Sequence, residues 1–82
     1  MPALTGRQIR AARALLGWSA QDLADRCKVG ISTIRRTELE DGAVRMIAGN
    51  VDAVLRAFDA AGVQFIEQNG GGDGVRMKEP IQ

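Results

Sequence analysis

The chain contains no histidine, no tyrosine and one cysteine, Cys27, among its 82 residues. Without histidine there is no Ser-His-Asp arrangement, and most zinc sites lose a ligand. A single cysteine forms no internal disulfide and is expected as buried packing rather than as a reactive thiol. Trp18, Phe58 and Phe65 are the only aromatics. No apolar run approaches a membrane span, and the N-terminus lacks a signal-peptide core, so the chain is read as cytoplasmic with no membrane partner. The glycine-rich "NGGGDG" lacks the lysine and the strand-loop-helix context of a phosphate loop. With no paired carboxylates in an apolar setting either, neither an enzyme nor a cofactor is expected.

What is present suits one small domain. Hydrophobic residues make up 45% of the chain, and many are alanines, which favour helix. The net charge is only +1, yet its distribution is uneven. Residues 1–36 hold seven basic and two acidic side chains, and residues 37–82 hold four basic and eight acidic ones. The split fits either an ordinary mixed surface or a basic face separate from an acidic one.

Local signals divide the chain into four main helices. Thr5 to Gln8 fits a capping box, and Gly17 can end the following helix in the left-handed conformation, which predicts a helix over about residues 5–16. Arg7, Arg10 and Arg13 share one of its faces. Ser19 to Asp22 is a second capping-box-like start, with Leu23, Ala24 and Cys27 on one side and Trp18 placed to staple onto Leu23. A third helix is expected over about residues 31–39. "AVRMIAG" is ambiguous and can hold a further turn of helix. Asn50 is the expected N-cap of the last helix, in which Val51, Val54, Leu55 and Phe58 form an apolar stripe. After Gly62, "VQFIEQ" and "VRMK" alternate as strands around "NGGGDG", so a C-terminal β-hairpin is expected, with disorder as the alternative.

The two short helices starting near Ser19 and Ile31 have the spacing of a helix-turn-helix. A steep crossing needs a small residue, supplied by Ala24. The turn needs an apolar plug, supplied by Val29, and the second helix needs an inward residue, supplied by Ile34. On these residues "SAQDLADRCKVGISTIRRTE" resembles the helix-turn-helix of the phage-repressor and Cro-type (XRE) regulators, and "RQIRAARALLGWS" resembles that family's lead-in helix. The resemblance covers roughly residues 5–42, about half the chain. Three positions depart from the family pattern. Lys28 stands where a turn glycine is common, Ala20 rather than glutamine follows Ser19, and Thr37 occupies a usually apolar site.

The resemblance implies a mainly α, compact four- to five-helix lambda-repressor-like DNA-binding domain over residues 1–62. Residues 63–82 would be a β-hairpin or flexible extension and a possible dimerisation element. It implies a nucleoid-associated transcriptional regulator, by default a dimeric autorepressor, that reads double-stranded DNA of a palindromic operator in the major groove. Ile31, Ser32 and Arg36 are the base-contacting candidates, with core packing equally open for Ile31. Arg7, Arg10, Ser19, Gln21, Lys28, Thr33 and Arg35 are the phosphate-contacting candidates. Val63, Phe65 and Ile66 are candidates for a homodimer interface, unless the hairpin only covers its own core. A protein-interaction module that binds an unknown protein partner through its C-terminal half, such as an antitoxin or anti-activator, is the competing reading.

Overall fold

A computed structural model describes residues 4–67 and 70–79. Gln68, Asn69 and residues 80–82, which the expected hairpin loop and tail include, lie outside the described residues, as do residues 1–3. Within them the chain forms four helices and one two-stranded sheet: α1 (Gly6–Leu16), α2 (Ala20–Cys27), α3 (Ile31–Glu38), α4 (Ala48–Ala60), β1 (Val63–Ile66) and β2 (Gly74–Met77). The fold is mainly α with a C-terminal hairpin, as expected, and no helix of the described residues is long and apolar enough to cross a membrane.

Both capping boxes form. The Thr5 hydroxyl accepts from the Gln8 backbone while Gln8 reaches back to the Thr5 amide, and Ser19 and Asp22 do the same for α2. These bonds satisfy N–H groups that a helix start leaves without partners. Gly17 ends α1 at φ 68°, and the next bend follows at Lys28, which ends α2 at φ 62° and ψ 29°. The turn is thus made in the left-handed conformation without a glycine. A lysine adopts the left-handed conformation that normally costs a non-glycine residue roughly 1–2 kcal/mol.

The last helix begins earlier than expected. Its N-cap is Ile47, and Asn50 sits inside its first turn, so the capping role read for Asn50 is not realised. "AVRMIAG" forms no separate turn of helix because its start is pinned in extended form. Thr5 and Ala43 form an isolated bridge, and the Val44 amide donates to the Leu4 carbonyl. Gly6 completes this stitch: its amide donates to the Gly42 carbonyl, and a Cβ there would overlap the Glu40 carbonyl.

The core is one cluster. Ile9 and Ala12 of α1, Leu23, Ala24 and Cys27 of α2, Val29 of the turn, Ile34 of α3, Val54 and Phe58 of α4, and Val63 of β1 are all buried. Ala24, Val29 and Ile34 thus occupy the inward places that the spacing assigns to them. Phe58 is its aromatic hub: Trp18 stacks on it at 5.6 Å and Phe65 meets it edge-on at 5.7 Å. Trp18 therefore spends its ring on α4, and the Arg26 guanidinium covers it 4.5 Å from the ring centroid. Burial pushes the Cys27 thiol above its ordinary pKa, which suits the packing role expected for it.

The hairpin is antiparallel with Val63 opposite Met77 and Ile66 opposite Gly74. An isolated hairpin is marginal in water. Here α1 holds it, because Gln8 Nε2 donates to the carbonyls of Gly74 and Ile66, and the Thr5 hydroxyl donates to Asp73.

Candidate nucleic-acid interface

α3 begins three residues after α2, across Lys28, Val29 and Gly30, and packs against both α2 and α1. Its burial pattern follows from helical spacing. Ile34, Thr37 and Glu38 face inward, whereas Ser32, Arg35 and Arg36 face out and Ile31 and Thr33 lie between. Thr37 is buried despite its hydroxyl, so the inward face runs unbroken to the end of the helix. Ile31 packs against the core cluster while keeping part of its surface exposed.

The cations of α1 and those on and around α3 differ. Of the others, Arg56 and Lys78 are paired, and Arg26 and Arg76, without a carboxylate among the described residues, lie over Trp18 and against Gln64. On α1, every arginine has a carboxylate. Arg7 donates to Asp73 at 2.6 Å, Arg10 to Asp41 at 2.6 Å, and Arg13 holds Glu38 through two bonds of 2.6 and 2.7 Å. Arg10 also donates to the Glu38 carbonyl, and Arg13 to that of Trp18. The Arg13 guanidinium is mostly buried, and its hydrogen bonds to Glu38 raise its pKa above the ordinary arginine value. The Asp73 carboxyl is pulled down to about 2, chiefly by the hydrogen bond from Arg7 and then by that from Thr5.

On and around α3 the picture reverses. Among the described residues, Lys28, Arg35, Arg36 and Arg45 have no carboxylate within ion-pair distance and are exposed. Arg36 and Arg45 share a groove with Thr33, Glu40 and Asn50. Arg45 carried no sequence signal. It lies in an irregular segment whose path is set by the pairing of Ala43 and Val44 with residues 4–5, far away in sequence.

The residues expected at phosphate therefore separate. Arg7 and Arg10 are engaged as described. The Ser19 hydroxyl is engaged by the Asp22 amide, and the Gln21 amide donates to Asp25 at 2.8 Å. Lys28, Thr33 and Arg35 have no side-chain hydrogen bond among the described residues. They lie on one continuous stretch with Ser32 and Arg36.

The expected interface side chains separate as well. Val63 is 1% exposed and belongs to the core, and Phe65 is turned onto Phe58. As side chains these two cover the protein's own core, so a role for Val63 in contacting a partner through its side chain is corrected. Ile66 remains half-buried.

These features define a small helical domain with a three-residue turn between two short helices and a concentration of unpaired cations on the second. No family model matches this chain, and no curated protein matches it.

Proposed function

We propose that the protein binds double-stranded DNA sequence-specifically, laying α3 in the major groove as one half of a two-fold dimer. The observation that carries this reading is the segregation of cations: α1 uses its arginines internally, whereas the α3 side keeps Lys28, Arg35, Arg36 and Arg45 without carboxylates. Unpaired guanidinium groups on an exposed helix are what a polyanion recruits, because neutralising phosphates releases condensed counterions.

In this reading Arg36 and Ser32 address base edges, with Arg36 able to bind guanine O6 and N7 in bidentate fashion. Ile31 offers its exposed part to a thymine methyl. Lys28, Thr33, Arg35 and Arg45 hold phosphates and set the register. Arg7, Arg10, Ser19 and Gln21 are left out of the contact set, since each has a partner in the chain. Occupying a promoter needs no further chemistry, so repression, including of its own gene, is the mode we propose.

A second reading draws on Leu39 and Ile47, which are 85% and 72% exposed at the two ends of the loop between α3 and α4. They give a protein partner an apolar foothold in the C-terminal half.

Selection of bound duplexes from a random pool tests the first reading. It should enrich a palindrome whose half-sites are one helical turn, about 34 Å, apart. Equal retention of every duplex would overturn sequence-specific binding. No retention even at low salt would favour the protein-partner reading.

A further inference from the structure

We propose that the cavity between α3 and the start of α4 binds a small carboxylic acid with an apolar body, and that this acid competes with DNA for Arg36. The binding stands apart from the DNA reading, and only the competition rests on it.

The cavity holds about 380 Å³, in the lower part of the range of small-molecule sites, roughly 300–1,000 Å³. At about 30 Å³ per non-hydrogen atom, a water's share of the liquid, it admits roughly a dozen such atoms. Arg36 and Arg45 lie on its wall with no carboxylate within ion-pair distance among the described residues. Thr37 is only 7% exposed and stands on the same wall. Its hydroxyl is not sealed from solvent, yet it has no hydrogen-bond partner among the described residues. A buried hydroxyl without a partner is costly, and a ligand oxygen in the cavity would satisfy it. Asn50, half-buried and not used as a cap, adds a carboxamide that is likewise without a partner.

The apolar part of the wall comes from Met46 and Ile47. Ile47 is 72% exposed. It is also the N-cap of α4, at φ −61° and ψ 152°, and makes no side-chain cap bond. Serine, threonine, asparagine or aspartate would stabilise the helix there, and isoleucine is among the poorest choices. The stability of α4 therefore does not account for this residue. Contact with an apolar body does, because it takes the side chain out of water.

Charge selects the head group. Two guanidinium groups stand against Glu40, the one acid among the described lining residues, which leaves an excess of one positive charge. That excess suits a monoanion, and a guanidinium holds a carboxylate through two parallel bonds. A duplex offers little apolar surface for Met46 and Ile47 beyond a thymine methyl. A partner helix needs a groove for anchors spread over two turns, more than a cavity of this volume supplies.

Calorimetric titration of the full chain with octanoate and with phenylbutyrate tests the site. For ligands of about a dozen non-hydrogen atoms the expected dissociation constant is about 2 mM. Acetate has the head alone and octanamide the tail alone, and each should bind at least about tenfold more weakly. The amides of Thr37, Ile47 and Asn50 should shift in residue-resolved NMR. Arg45→Ala should weaken octanoate about tenfold, and Glu40→Gln should tighten it about threefold. Ile47→Ser should weaken it about threefold while raising the melting temperature by about 4 °C, because serine caps α4. Loss of binding in that variant is then not loss of fold. No saturation by either acid up to about 20 mM overturns the proposal. So does binding that moves the amides of Leu55 and Phe65 instead, or an Ile47→Ser chain that binds like wild type. On a selected duplex, about 20 mM octanoate should lower affinity about tenfold, and acetate at the same strength should not. A chain that binds octanoate but no duplex keeps the site and loses the DNA reading, and one that holds both at once overturns the competition.

Discussion

Two helices of this molecule carry arginines and use them in opposite ways. On α1, Arg7, Arg10 and Arg13 each reach a carboxylate that lies 25 or more residues away in the chain. On α3, Arg35 and Arg36 reach none among the described residues. By composition the two sets are identical: charged, on amphipathic helices, in the same basic half of the sequence. Their difference is set by tertiary neighbours. α1 lies beside the acidic end of α3 and the Asp73 loop, so its cations close the fold. The outer face of α3 has no carboxylate within ion-pair distance among the described residues, so its cations remain available to a ligand. A count of basic residues therefore overstates the surface a polyanion would see.

The sharpest break in that comparison comes from Arg13. Its partner Glu38 is buried, and removing one member of a buried pair leaves the other charge without compensation, at a cost of about 3 kcal/mol. Arg13→Ala should lower stability by this amount in urea unfolding, while affinity for DNA, measured where the variant is folded, stays unchanged. Arg36→Ala should do the reverse. Stability should shift by less than about 0.5 kcal/mol, because an exposed side chain with no partner is removed. DNA affinity should fall by about 1–3 kcal/mol, and specificity should relax at one base pair. Equal losses on selected and random duplexes for Arg36→Ala would remove it from base reading.

The pairs of α1 also explain what the sequence could and could not reveal. Capping boxes span four residues, so Thr5 with Gln8 and Ser19 with Asp22 were legible from order alone. The apolar stripe of α4 was legible for the same reason, and so were the inward places of Ala24, Val29 and Ile34, which follow from spacing. The partners of Arg7, Arg10 and Arg13 were not legible, because no local rule links residue 7 to residue 73. Gly6 reads as an ordinary helix residue, and only the approach of the Glu40 carbonyl shows why no side chain fits there. The start of α4 departs from the local signal for a related reason: Asn50 has the right chemistry for a cap, but the cap falls three residues earlier, at Ile47. Val63 and Phe65 alternate as a strand should, yet only their packing onto Phe58 and its neighbours settles that the inward face belongs to this chain's own core.

A milder test of the same contrast uses acid. The Asp73 carboxyl is held at about 2 by Arg7 and Thr5, below an unfolded value of about 3.9. A depressed carboxylate pKa stabilises the fold above the unfolded value, and that contribution is lost as pH falls towards the folded one. The melting temperature of Asp73→Asn should therefore lie below wild type at neutral pH. The gap should close between about pH 4 and pH 2. A gap that persists unchanged at pH 2 would assign the effect to the shape of the loop rather than to charge. No carboxylate pairs with Arg35 or Arg36 among the described residues, so the corresponding removal, Arg35→Ala, should show no such pH dependence of its stability.

Lys28 gives the smallest effect and sits on the boundary between the two uses of positive charge. Its backbone is left-handed at φ 62°, where glycine is at ease and lysine is not. Lys28→Gly relieves a cost of roughly 1–2 kcal/mol, offset in part by the greater freedom of glycine in the unfolded chain, about 0.5–1 kcal/mol. The net expectation is a gain in stability of about 0.5–1 kcal/mol. If Lys28 holds a phosphate, the same change should reduce the slope of log affinity against log salt by about 1 for each protomer bound. Stability and binding would then move in opposite directions at one residue, which places Lys28 with the arginines of α3 and accounts for a lysine in a strained turn. A stabilised variant with an unaltered salt slope would leave that strain without a function and remove Lys28 from the interface.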